Sequence, residues 1–144
     1  MRLPVMVLLA GAVAGPALEA QTPGPGSGPR QTMSQIMVDI LYPAGDAVFY
    51  IATRTPTNDA EWAQLEAQTL SLAETATLLM MPSRARDTGR WMSDARLMLD
   101  AGLAAYRAAR ARDVPALEAL NDALYMSCVT CHEDYRRGYG RRGG

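Results

Sequence analysis

Apolar residues recur every three or four positions through four stretches of the chain, the spacing that lines one face of a helix. In residues 32–51 the face is Met33, Ile36, Met37, Ile40, Ala44, Ala47, Val48 and Ile51, with Pro43 inside it. Proline cannot donate to the Asp39 carbonyl, so a kink is predicted there. The second stretch opens at Thr57 or Asn58, either a good cap, with Asp59 and Glu61 suited to the positive end of a helix dipole. It continues through Trp62, Leu65, Thr69, Leu72, Ala76 and Leu79 and stops before Pro82. Residues 88–112 form the third, whose face of Trp91, Ala95, Met98, Gly102, Ala105 and Ala109 is mostly small. Such a face admits a closely packed helix or a flat cofactor. The fourth begins at Asp113, a cap, and Pro115, a first-turn residue, and carries Leu117, Leu120, Leu124, Cys128, Cys131 and Tyr135 inward. No stretch alternates with period two. The prediction is an all-α protein: an antiparallel four-helix bundle over residues 32–137, with Trp62 and Trp91 as core anchors.

The ends read differently. Residues 1–20 have the form of an export signal: Arg2, then an apolar core from Leu3 to Val13, then small residues to Ala20. Pro4, Gly11, Gly15 and Pro16 interrupt the apolar run, which is too short for a stable membrane span. Residues 21–31 are rich in Pro and Gly and are expected to be a disordered leader; residues 138–144 are expected to be a flexible Gly/Arg tail. An exported, soluble, periplasmic protein follows. With 144 residues there is room for one domain, and a formal net charge of −1 argues against nucleic acid as a partner. Every one of the 14 basic residues is Arg, which excludes chemistry that needs a lysine amine.

The chemistry sits late in the chain. Cys128-Val129-Thr130-Cys131-His132 is the C-x-x-C-H pattern of covalent haem attachment. Two thiols add across the two vinyl groups of the porphyrin, and the next residue's imidazole then lies where it reaches the iron. Other readings of the same residues are weaker. Structural zinc takes four ligands, and the chain has only two Cys and one His. A thioredoxin-like pair belongs at the start of a helix that follows a strand. A structural disulfide has compatible spacing, but makes His132 and the export signal coincidences. One haem c, held near the C-terminus of the last helix by Cys128, Cys131 and His132, is therefore expected.

A single His excludes bis-His ligation within the chain. The sixth iron position is then Met, a weak ligand or empty. Met37 is the first choice, deeper in the apolar face of the first helix, and Met33 the second; the alternative is that both are core filler. Arg136 and Arg137 follow the motif, where one could pair with a haem propionate or where both simply complement the helix dipole. Tyr135 is expected beside the ring, and Glu133 and Asp134 exposed. Catalysis of the peroxidase kind needs a polar distal group. The first helix supplies only Asp39 and Asp46, so no enzymatic activity is expected.

With these residues the chain resembles the class II c-type cytochromes, the cytochrome c-prime family. The haem pentapeptide lies in the last helix, and the run Cys131-His132-Glu133-Asp134-Tyr135-Arg136 is similar to the family's Cys-His-x-x-Tyr/Phe-Arg/Lys ending. Pro43 and the Gly/Arg tail depart from the family pattern. The resemblance implies a left-handed four-helix bundle, often a homodimer, with His132 as the proximal ligand. It also implies one of two functions. Low-spin members put a first-helix Met on iron and exchange electrons with redox partner proteins, which is the reading preferred here. High-spin members leave the distal side vacant and bind nitric oxide or carbon monoxide.

Overall fold

A computed structural model describes residues 31–140. The expected export signal, the leader over residues 21–30 and the last four residues of the tail lie outside them. The described chain is all-helical, without a strand, in an arrangement compatible with a helical bundle. Among the described residues no helix is long and apolar enough to cross a membrane.

The first helical stretch is a composite. Helix α1 (Met33–Gln35) is capped at Thr32, whose hydroxyl accepts from the Gln35 N–H while the Gln35 side chain accepts from the Thr32 N–H. A π-helical segment, Ile36–Leu41, leads from it into α2 (Tyr42–Phe49). The π-helical turn stands where the lost hydrogen bond at Pro43 is predicted to disturb the helix. The Tyr42 N–H reaches back five residues to the Met37 carbonyl, so the turn just before Pro43 is widened rather than broken. Five-residue spacing also changes which side chains turn inward. Ile36 and Leu41 are buried, as are Ala44, Gly45, Val48 and Ile51, whereas Ile40 and Ala47, read as inward from a 3.6-residue period, are only half-buried.

Helix α3 (Asp59–Leu79) starts where expected. Asn58 Oδ1 accepts from the Glu61 N–H at 3.0 Å, and the Glu61 carboxylate reaches back to the Thr57 N–H at 2.6 Å. Those Thr57 bonds hold the Glu61 carboxyl below its usual range. Helix α4 (Arg90–Arg110) packs most extensively against α3. The small face of α4 is divided: at Gly102 it meets a close helix, while Trp91, Ala95 and Met98 border a cavity. A Cβ added at Gly102 would lie 2.8 Å from the Ala73 backbone nitrogen and 3.1 Å from its Cα. The turn between α3 and α4 is tied by Trp91, whose indole N–H donates to the Leu79 carbonyl at 2.7 Å. Trp62 and Trp91 are both buried, as expected of core anchors.

The fourth stretch is divided at Leu120 into α5 (Val114–Ala119) and α6 (Asn121–Tyr135). Asp113 caps it as expected, accepting from the Ala116 N–H at 3.0 Å. The Leu120 N–H donates to the Leu117 carbonyl at 3.2 Å, a three-residue closure between α5 and α6. Leu117, Leu124 and Cys131 face inward as the periodicity predicts; Ser127, whose hydroxyl donates to the Leu124 carbonyl at 2.7 Å, is buried with them. Leu120, Cys128 and Tyr135 are half-buried.

Candidate functional site

Cys128, Cys131 and His132 lie in the last two turns of α6 and line one cavity of about 460 Å³. The size falls within the range of cofactor sites. Its walls are largely carbon: Leu41 and Phe49 from the first stretch, Leu72 and Leu79 from α3, Trp91, Ala95 and Met98 from α4, and Leu124 from α6. A second cavity, of about 580 Å³, adjoins it and shares Met37, Tyr42, Trp91, Cys131, His132 and Arg136. Helical spacing explains the convergence: positions three and four apart share a face, so Leu124, Cys128, Cys131 and His132 turn toward the same space.

Burial sets the state of these groups. Cys128 and Cys131 are free thiols. Burial pushes the Cys131 thiol up to about 11, with the Asp94 charge adding to it, and raises Cys128 as well. A reactive or redox-exchanging cysteine needs the opposite shift. Raising Cys131 from 9.0 to about 11 leaves on the order of 100-fold less thiolate near neutral pH. In the unmodified chain, iodoacetamide should therefore label Cys131 at least that much more slowly than free cysteine at pH 7.5. Labelling at the free-cysteine rate would show that this thiol is neither buried nor suppressed. His132 is shifted the other way, its imidazole held below the usual value by burial and then by Arg136. It is neutral at pH 7, the form in which imidazole binds metal. Tyr139 packs edge-on against the ring with centroids 5.2 Å apart.

The remaining sequence candidates divide. Met37 borders both cavities; Met33 borders only the second. Arg136 lies on both walls, whereas Arg137 lines neither. Tyr135 lines the second cavity, and its phenol donates to Asp87 Oδ2, which raises Tyr135 to about 12 and lowers Asp87. Its ring meets Trp91 edge-on at 5.0 Å. Glu133 and Asp134 are exposed as expected, although Asp134 pairs with Arg90 at 3.0 Å. Asp46 lines the first cavity, paired with Arg54, while Asp39 is exposed and lines neither.

Comparison with protein-family models, with curated proteins and with solved structures found no match. The geometry therefore carries the reading alone.

Several wall residues escape a sequence reading. Tyr139 falls in a stretch predicted as tail, yet residues 138–140 form a turn, with Gly138 and Gly140 at φ of 78° and 72°, that returns Tyr139 to His132. Its signal was an aromatic residue between two glycines. Arg86 in the α3–α4 turn joins the second cavity. Asp94 belongs to the first, and one polar residue in an otherwise apolar face of α4 was its only sign. Among the described residues no three His, Cys, Asp or Glu side chains cluster as a metal-ion site. A single imidazole fits a metal only if most of the ligand set arrives with the cofactor, as it does in a porphyrin. The donor set and the apolar walls fit haem.

Proposed function

We propose that this chain is an exported mono-haem cytochrome of the class II c type, an antiparallel four-helix bundle that carries electrons between redox partner proteins. The observation that carries the reading is the convergence of Cys128, Cys131 and His132 on one largely apolar cavity. When bound, haem supplies a one-electron couple at its iron.

The residues have distinct tasks. Cys128 and Cys131 hold the porphyrin through thioethers, so the cofactor is retained by a core too small to enclose it fully. His132, neutral and braced by Tyr139, would hold the iron. Met37 would be the second residue to bind it, favoured over Met33 because it borders both of the cavities that His132 borders. Met/His ligation raises the potential relative to other ligand sets. Leu41, Leu72, Leu79 and Trp91 exclude water, which keeps the dielectric low. Arg136, exposed at the rim, pairs with a propionate. No residue of this set performs acid–base catalysis on a substrate. The export signal read in residues 1–20 would send the chain to the periplasm, and a second copy of the chain is its proposed partner in a homodimer.

The test uses full-length chain matured in a host that attaches haem c. The wild type should retain its pigment through denaturation, and its ferric form should be low-spin with the Met-to-iron charge-transfer band. Met37→Ala should lose that band and become high-spin, while Met33→Ala keeps it. A high-spin wild type that takes up carbon monoxide readily in the ferrous state would replace the electron-carrier reading with the gas-binding one.

A further inference from the structure

We infer that Asp94 is the proton partner of the redox centre: one proton moves from solvent onto its carboxylate when the centre gains an electron, and returns on oxidation. This rests on the haem reading above. The electron comes from a one-electron donor protein or an electrode, so each cycle moves one electron and one proton and leaves every covalent bond to the haem unchanged.

Asp94 lies in the first turns of α4 and is only 7% exposed. Its Oδ2 is buried without a hydrogen-bond partner among the described residues. It lines the same cavity as Cys131 and His132. An unpaired buried carboxylate is costly, and such groups are either functional or replaced. The expected cation is diverted. Arg90, one helical turn earlier, gives its guanidinium to both oxygens of Asp134, at 3.1 and 3.0 Å.

The other groups facing Asp94 give it little relief. From α6 come the Asp134 carboxylate and the Cys131 sulfur, which would be consumed as a thioether in the mature protein, while His132, which would hold the iron, lines the same cavity. Arg136 stands at the exposed rim of the same cavity. From the turn before α4 comes Asp87, already bonded to the Tyr135 phenol and to the Gly89 and Trp91 N–H groups. From the first stretch Asp46 lines the cavity, neutralised by Arg54. Burial, and then the Asp134 charge, hold the Asp94 carboxyl above the ordinary carboxylate range. An electron arriving in the largely apolar cavity that Asp94 lines makes the local potential one charge more negative. It thereby raises the affinity of Asp94 for a proton, and by reciprocity the proton raises the affinity of the centre for the electron.

The test is spectroelectrochemistry of matured protein between pH 4 and pH 9, paired with reduced-minus-oxidised infrared difference spectra. In the wild type the potential should fall as pH rises, approaching about 59 mV for each tenfold change in proton activity. A protonated-carboxyl band should appear on reduction. Asp94→Asn should flatten that region and remove the band. Asp94→Glu, should the Asn variant fail to mature, should keep the slope but move its pH window. A flat wild-type profile without a carboxyl band overturns the proposal, as does an unchanged slope in Asp94→Asn, which would assign the proton to a propionate. A colourless wild type would instead refute the haem reading, and this proposal with it.

Discussion

The Cys128→Ala/Cys131→Ala double variant, matured beside the wild type, should emerge with no pigment that survives denaturation. In the wild type each thiol becomes a thioether, so the pigment moves with the chain on a denaturing gel and adds the mass of one haem. Removing both thiols deletes every covalent tether and leaves only His132 to hold the iron. The substitutions themselves disturb packing little. Cys131 is buried but small, and Cys128 is half-buried, so alanine at each removes one sulfur from a wall that already borders open space. The helical content of the variant should match that of the haem-free wild type. Its midpoint of thermal unfolding should fall below that of the matured wild type, because the burial of the tethered porphyrin and its full set of iron bonds form only in the folded state. Pigment covalently retained by the double variant, seen by haem staining or intact mass, would end the attachment model.

Gly102→Val should be the most damaging single change to the fold. Two effects compete at this position. Glycine inside a helix is disfavoured by about 1 kcal/mol relative to alanine, so any side chain starts with a gain. Against it stands the approach of α3: a Cβ would meet the Ala73 nitrogen at 2.8 Å and the Leu72 Cβ at 3.1 Å. The first of these is helix backbone, which cannot rotate aside as a side chain can. Overpacking costs about 1–3 kcal/mol and sometimes more, and a branched side chain on this seam belongs at the upper end. Set against a typical total stability of 5–15 kcal/mol, a loss of roughly 3 kcal/mol removes a large share. Gly45→Ala supplies the control. Gly45 is also buried and helical, but its added Cβ would meet only Phe49 ring carbons at 3.4 and 3.9 Å. There the propensity gain should win and the variant should be unchanged or slightly more stable. Denaturant unfolding of the three proteins decides it. Equal midpoints for Gly102→Val and the wild type would mean that α3 and α4 are not in close contact.

Much of this was legible because helices announce themselves locally. Asn58 and Asp113 sit where a helix needs acceptors for its free N–H groups, and they cap α3 and α5 as expected. The face of Trp91, Ala95, Met98, Gly102, Ala105 and Ala109 is buried in full. The reading weakened where a position depends on its turn rather than its residue type. At Pro43 the sequence signals a lost hydrogen bond but not the remedy, and the π-helical turn that supplies it exchanged Ile40 for Leu41 at the interior. Tyr139 lay beyond reach for a similar reason, since two glycines in the left-handed region bring it back to His132.

By itself, then, the order of residues determined the helical class, the caps at Asn58 and Asp113 and the C-x-x-C-H pattern, since each depends on neighbours within about one turn. Only the tertiary structure decided what occupies the small face of α4, which methionine borders both cavities beside His132, and that Asp94 stands in the cavity wall without a partner. Those outcomes depend on which residues from distant parts of the chain meet, and a local pattern of polarity does not encode that meeting.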